Sequence, residues 1–579
     1  MGFTTRPVIQ GTHGVVSSGH YLASAVALRI LSQGGNAIDA GVAAGFALSV
    51  LKPQDNGMGG EVPILIYDAR KRQVAAISGQ GTAPRRATIE WFREQGISLI
   101  PGDGMLAATV PAAFGAWVTA LARFGRLSLR EVLTPAVELA ADGFGMYPAL
   151  QASITTHAER FRSEWPSTAK VYLPGGRVPQ VGERFRQPDW AATFQKVLDA
   201  EERARSRGRE AGLQAALDYF YRGDLARRLA EFAAETSVRD ASGEKHAGLI
   251  EYDDLARYQT RVEAPVSTSY RGYQVYKCNT WTQGPVFLQQ LNLLEGFNLA
   301  RMGHNTPEYI HTVVEAAKLA FADRERYYGD PLFDQVPIDR LLSKGYAAER
   351  RALIDPARAS LEMRPGDAEA YMVEETQPDP NVYVGDTTHV DVVDADGNMI
   401  AATPSGGWIP SSPVVEGLGF PLGTRAQMFF LEPGRPNALQ PGKRPRTTLT
   451  PSLVLKDGQP HMVFGTVGGD QQDQWTLQAF LNYVDFGMSL QEAVDAPSFH
   501  TLHFPSSFYP RDAHPGRLVV EALIPDAVRL ALAARGHEIA EVRAWNNGQV
   551  NMVRYNQGDR IISGAASPKA GGEAYALGY

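Results

Sequence analysis

The sequence changes character abruptly at residue 387. Residues 355–386 are rich in Pro, Asp and Glu and poor in apolar side chains, the composition of an exposed, mobile segment. Then Thr387-Thr388-His389-Val390-Asp391-Val392-Val393-Asp394 begins a strand, Asp396-Gly397 supplies a tight turn, and Met399–Thr403 returns. A second hairpin runs from Ser452–Leu455 through Asp457-Gly458 to His461–Gly465. It ends at Thr466-Val467-Gly468-Gly469, just ahead of an apolar helical stretch, Trp475–Val484. A flexible acidic segment therefore delivers a threonine to the head of a strand.

The residues before this junction mix helix and strand. Ala23–Ser32 has helical apolar spacing and stops at Gly34-Gly35, and Asn36 with Asp39 resembles a capping box for the next helix. VPILIYDARKRQVAAIS predicts two strands around a charged turn, residues 104–145 are mostly helical with breaks at Pro111 and Gly125, and residues 190–236 predict solvated helices. Thr306-Pro307-Glu308 starts another helix, where His311 and Glu315, one turn apart, are expected to form a structural hydrogen-bonded pair.

Several chemistries are disfavoured. The single cysteine, Cys278, excludes an internal disulfide and any multi-thiolate metal site. Twelve histidines without paired ligand spacing argue against catalytic zinc, so no metal is expected. A net charge of −7 without a long basic run gives no sign of nucleic-acid binding. GxxxxGK[ST] is absent, and Gly102-Asp103-Gly104-Met105-Leu106-Ala107 reads as a turn because Pro111 soon interrupts the helix after it. No charged-then-apolar leader opens the chain, and Ala37–Leu51 is too short and too rich in small residues to span a bilayer. A soluble, cytoplasmic protein is the expectation.

At Gly385-Asp386-Thr387-Thr388-His389 the arrangement suits self-cleavage. The Thr387 hydroxyl attacks the carbonyl of Asp386, and water resolves the ester. The new terminus then carries hydroxyl and α-amine on one residue, and an α-amine with a pKa of about 7.7–8.0 is a competent general base at neutral pH. The alternative is an ordinary strand start, since β-branched residues fit there. Gly468-Gly469 is either a tight turn or a pair of N–H donors for a developing oxyanion. Lys443-Arg444-Pro445-Arg446-Thr447-Thr448 is either an exposed turn or a binding loop. His389 is expected to bond locally on its strand, and Asp470 and Asp473 to cap the next helix rather than bind substrate.

GGNAIDAGVAAGFALSV, PQDNGMGGEVPILIYDA, GTAPRRAT, VPAAFGAW, YRGYQVY, EAAKLAFADRERYYGDP, GDTTHVDVVDADGN, KRPRTTLTPSLVLKDG, GTVGGD and DAPSFH occur in that order. With them the chain resembles the γ-glutamyltranspeptidase (glutathione hydrolase) family of N-terminal nucleophile hydrolases over nearly its whole length. The resemblance implies an α+β fold, a four-layered αββα sandwich. It implies a precursor cut between Asp386 and Thr387 into intertwined subunits, 1–386 and 387–579, and no cofactor. Thr387 would be the nucleophile, Ser405 its supporting hydroxyl, and Gly468 and Gly469 the oxyanion hole. Thr447 and Thr448 would replace the family's paired serines at the substrate carboxylate, and Gln427 would line the donor pocket.

The departures from the family pattern bear on substrate. Where the family has an arginine for the donor α-carboxylate, Gln80 or Thr82 stands; Arg85 or Arg86, just after the Ala-Pro pair, could take that place only through a register shift. Where it has an acid for the α-ammonium, Phe429 and Phe430 stand, and Gly406-Gly407-Trp408 replace an asparagine-bearing stretch. Charge-assisted bonds contribute roughly 1.5–3 kcal/mol each, so losing two lowers glutamyl selectivity by about two to four powers of ten. The expectation is an amidase or acylase for a more apolar, non-glutamyl acyl donor, resembling cephalosporin acylases and oxamate amidohydrolases, with acyl transfer to an amine as a side activity. A true γ-glutamyltransferase and a catalytically inactive binding protein are the alternatives. The partners implied are a small-molecule amide and the two subunits of one precursor, with neither nucleic acid nor membrane; a homo-oligomer of that heterodimer is left open.

Overall fold

The computed structural model describes residues 3–376, 387–569 and 571–579. Two seven-stranded antiparallel sheets dominate it. In one, the strand order is Tyr575–Gly578, Gly14–Ser18, Val390–Asp394, Met399–Ala402, Ile64–Asp68, Gln73–Ser78 and Arg261–Glu263. In the other it is Ile9–Gly11, Ile562–Ala566, Asn551–Tyr555, Gln459–Gly465, Ser452–Lys456, Tyr273–Lys277 and Val266–Tyr270. Each sheet interleaves strands from before and after residue 387, so residues on both sides of the junction share one hydrogen-bonded frame.

The strand sequences read as near-continuous apolar runs because both faces are buried. Val16, Ile64, Ile66, Val392 and Ile400 join a core with the helices Tyr21–Ser32 and Ala37–Leu51. Their neighbours Val15, Leu65, Tyr67, Val393 and Met399 point the other way and meet Leu453, Leu455, Val463 and Val553 between the sheets. Val454, Met462 and Phe464 face outward again, onto the helices Pro285–Leu294, Pro307–Tyr327 and Gln472–Val484. Helix, sheet, sheet, helix is therefore the layer order, as the resemblance implied.

Local signals were largely realised. Asn36 and Asp39 form the capping box of Ala37–Leu51, and Thr306 caps Pro307–Tyr327. Asp396-Gly397 and Asp457-Gly458 connect their hairpins, with Gly397 and Gly458 at positive φ (82° and 70°). Residues 355–376 are irregular, tied by a Met363–Tyr371 bridge. The rest of the acidic segment, including Asp386, lies outside the described residues.

One of the two readings of the basic stretch falls away. The basic stretch is not an exposed turn: Lys443, Arg444 and Arg446 are buried. Each meets an acid, Lys443 with Asp334, Arg444 with Asp330 and Glu263, Arg446 with Glu325. Burial without these partners would be prohibitive.

Candidate active site

Thr387 is buried and forms an isolated antiparallel bridge with Ser405, three residues ahead of the regular strand Val390–Asp394. Its Oγ1 lies 3.2 Å from Ser405 Oγ. Ser405 in turn accepts a hydrogen bond from Arg425 Nη2 at 3.0 Å. The Arg425 guanidinium is ion-paired with Glu61, whose backbone exchanges both hydrogen bonds with that of Ser405. Burial pushes the Glu61 carboxyl upward, and the charge of Arg425 opposes that shift. The result is a buried relay of contacts: Glu61, Arg425, Ser405, Thr387.

Glycines make this approach possible. A methyl group built on Gly60 would stand 2.2 Å from the Ser405 carbonyl oxygen, and one on Gly406 would stand 2.6 Å from the Glu61 carboxylate. Gly406 and Gly407 also hold positive φ, 69° and 60°. Trp408 is buried under the Arg425 guanidinium, 5.4 Å from ring centre to Cζ. Sequence reading passed over Glu61 and Arg425. Their signals, an acid directly after Gly59-Gly60 and an arginine two residues before Gln427, acquire meaning only when the two loops meet.

The glycine pair lies at the same end of the sandwich. A side chain on Gly465 would stand 2.2 Å from the His389 ring, so the strand ending at Gly465 packs on the strand that follows Thr387. Gly468 (φ 106°, ψ 32°) and Gly469 (φ 54°) then turn into the helix Gln472–Val484. A buried clamp fixes the turn. Gln283 Nε2 donates to the Gly469 and Asp470 carbonyls at 3.4 and 3.3 Å, and Arg324 donates to Gln283 Oε1 at 2.8 Å. Arg324 is also ion-paired with Asp470, which accepts from Ser507 N and Oγ at 2.8 and 2.6 Å. Asp470 thus anchors the turn rather than capping the helix. Asp473 is likewise buried in the first helical turn, 3.1 Å from Lys277 Nζ, with burial raising its pKa to about 6.

The residues expected at the substrate occupy varied settings. Gln80 is buried with both side-chain amide atoms unpaired, on a cavity of about 510 Å3 that Thr82, Arg85 and Arg444 also line. Arg85 faces Asp253 and Asp254, and Arg86 faces Glu251, at the partly exposed rim. Thr448 is buried with Oγ1 unpaired, whereas Thr447 Oγ1 accepts from Leu449 N at 3.4 Å. Gln427 spends its amide on Gly102 O, Thr424 and Tyr509 N. Phe429 packs in a small core with Ala83, Phe92 and Leu439. Phe430 is stacked by two guanidinium groups, Arg435 at 3.7 Å and Arg511 at 4.1 Å.

Two histidine readings part company. His389 bonds Thr403 Oγ1 at 2.9 Å and Asp391 Oδ1 at 2.8 Å, the local role expected of it. His311 and Glu315 do not bond each other. His311 meets His537 and the Asp355 carbonyl, while Glu315 is paired with Lys318 and Arg364. The three residues His311, Glu315 and His537 could offer a metal three ligand atoms, but those two cations already neutralise the carboxylate.

The helix, sheet, sheet, helix order is the fold of the N-terminal nucleophile class of hydrolases, shared with a solved cephalosporin acylase of Bacillus halodurans at 29% identity and a TM-score of 0.84 over 100% of this chain and 98% of that one. The chain belongs to the gamma-glutamyltranspeptidase family, whose pattern matches residues 23–577. It is 36% identical to an acylase ACY 1 proenzyme of Pseudomonas sp. (strain SE83), over 98% of this chain and 94% of the relative. It is 31% identical to a glutathione hydrolase proenzyme of Escherichia coli (strain K12), over 97% and 91%. A solved structure described as LmbA2991HD covers both chains completely at 45% identity, with a TM-score of 0.95. These relatives are amide hydrolases where their names state an activity, and this chain is an enzyme of that kind. No described helix is long and apolar enough to cross a membrane.

Proposed function

We propose that the chain is an autoprocessing amidohydrolase, an acylase for a non-glutamyl donor, with Thr387 as nucleophile. Cleavage before Thr387 separates fragments of 386 and 193 residues that remain bound through the interleaved sheets. The freed α-amine takes the proton of Oγ1, and the oxygen attacks the substrate carbonyl. Ser405 holds Oγ1 in its rotamer, and Arg425 orients Ser405. The N–H groups at Gly468 and Gly469 receive the oxyanion, the leaving amine takes the proton, and water releases the acyl group. The proenzyme names of related chains fit this maturation.

The observation that carries the reading is the 3.2 Å contact of Thr387 Oγ1 with a serine itself held by a buried guanidinium. The non-glutamyl part rests on the donor-site substitutions. Gln80 carries no charge to meet a carboxylate, and Phe430 is flanked by cations rather than being an acid. Phe429 lies in a core, so it shapes the donor site by packing. Purified protein run on a denaturing gel, followed by turnover of γ-glutamyl and simple acyl anilides, tests both parts. Two fragments and a preference for the acyl compound are expected. A single band sinks the processing claim, and a strong glutamyl preference sinks the donor claim.

A further inference from the structure

The glycine pair forms part of the wall of a cavity of about 570 Å3. Much of the remaining wall is aromatic, from Trp475, Phe504, Phe508 and Tyr509. The contact is close: a methyl group on Gly468 would stand 2.1 Å from the Trp475 ring, and one on Gly469 would stand 2.9 Å from Phe508. These rings pack against the Cα atoms of the pair and line the same cavity.

The cavity also has a charged lining. Asp512 borders it, with Oδ1 buried and unpaired, and its carboxylate forms no ion pair among the described residues. His514, also on the wall, faces Glu375 through Nδ1 at 3.7 Å, and His500 does not compensate the Asp512 charge either. Burial holds its pKa near 3, and its Nδ1 accepts from Trp475 Nε1 at 3.3 Å, which leaves the proton of the neutral ring on Nε2. A sheltered carboxylate without a cation gains from any ligand that brings one.

The side of the scissile bond follows from which residues line the cavity. None of those expected at the acyl donor, Gln80, Gln427, Phe429, Phe430, Thr447 and Thr448, does so. That leaves the cavity beside the glycine pair to the group attached to nitrogen.

We infer that this cavity is a leaving-group subsite for an amine with a ring-shaped apolar body and a cationic end that pairs with Asp512. The inference rests on the proposed amide cleavage at Thr387 and adds the chemistry of the amine. Aromatic faces accept a flat ring by stacking, and a cation beside them gains from their quadrupoles as well.

Two butyryl anilides test it, one bearing a 4-aminomethyl group and one a 4-ethyl group of similar size. Processed protein should favour the cationic compound by roughly tenfold in kcat/KM, mainly through KM, the worth of one charge-assisted bond. Asp512→Asn should bring that ratio close to one. Quenching of tryptophan fluorescence by free 4-(aminomethyl)aniline, compared with 4-ethylaniline, reads the subsite without turnover. Asp512-dependent binding of the cationic amine with neither anilide cleaved would keep the subsite and reject the hydrolase reading. Equal binding of the two amines, or a preference that survives Asp512→Asn, overturns the subsite whether or not the anilides are cleaved.

Discussion

Arg425 donates through Nη2 to Ser405 Oγ over 3.0 Å, and both side chains are almost wholly shielded from water. The guanidinium is balanced by Glu61, so the serine is oriented by a neutralised pair rather than by a bare charge. An Oγ fixed from behind can fix the threonine in front of it.

Removing one member of the Glu61–Arg425 pair strands the other charge in the interior, at a cost of about 3–5 kcal/mol. Glu61→Gln and Arg425→Met are each expected to lower the unfolding midpoint clearly. Glu61→Met with Arg425→Met should lose less stability than either single change predicts, while still processing slowly. Denaturant unfolding of the three variants, read beside fragment formation, gives the comparison.

Ser405→Ala leaves Thr387 Oγ1 without its 3.2 Å neighbour. Slower appearance of the two fragments is expected, with folding retained, because the backbone bridge to Glu61 does not need the hydroxyl. Ser405→Thr keeps an oxygen and should restore much of the rate. Thr387→Ala should remain one band indefinitely. A time course on denaturing gels reads all three, and rapid cleavage of Ser405→Ala would remove the serine from the scheme.

Gly468→Ala combines a left-handed backbone with a methyl 2.1 Å from Trp475. The ring or the turn must move, and the N–H groups move with it. A loss of about 10²–10³ in kcat is expected, the usual cost of one misplaced oxyanion donor. Asp470→Asn acts on the same turn from behind, by weakening its pairing with Arg324. Activity of pre-processed protein, with KM recorded separately, shows whether kcat carries the loss.

Burial raises the Asp391 carboxyl to about 6, with the His389 contact pulling the other way. A raised folded-state pKa means that the native protein holds this proton more tightly than the unfolded chain does. The contribution is therefore full below the ordinary carboxylate pKa, near 4, and is lost as pH rises through about 6. Two pH units correspond to about 3 kcal/mol. Relative to wild type, Asp391→Asn should become progressively more stable between pH 4 and 6 and change little above pH 7. Thermal midpoints of both proteins across that range measure the difference.

Much of the frame was readable locally. The Asp-Gly turns at 396–397 and 457–458, the Asn36 cap and the apolar strand runs each depend on neighbours close in sequence, and each appears where expected. The buried basic loop did not, because Lys443, Arg444 and Arg446 look solvent-seeking until Asp334, Asp330 and Glu325 are folded beside them. Asp470 and Asp473 sit where a cap belongs, yet their partners Arg324 and Lys277 come from distant elements. The wall of the cavity behind the glycine pair includes the sheet Phe499–Thr501, Arg517–Glu521 and Glu538–Val542, whose short strands gave no distinct local signal.

The sequence by itself determined the threonine at a strand head, the glycines that permit close backbone approach, and the family to which these belong, since short-range sterics and motif order carry that information. Only the tertiary structure decided that Glu61 and Arg425 stand behind Ser405 and that Phe430 lies between two guanidinium groups. Such pairings join residues far apart along the chain, and burial in a shared, dry interior is what makes their charges seek one another.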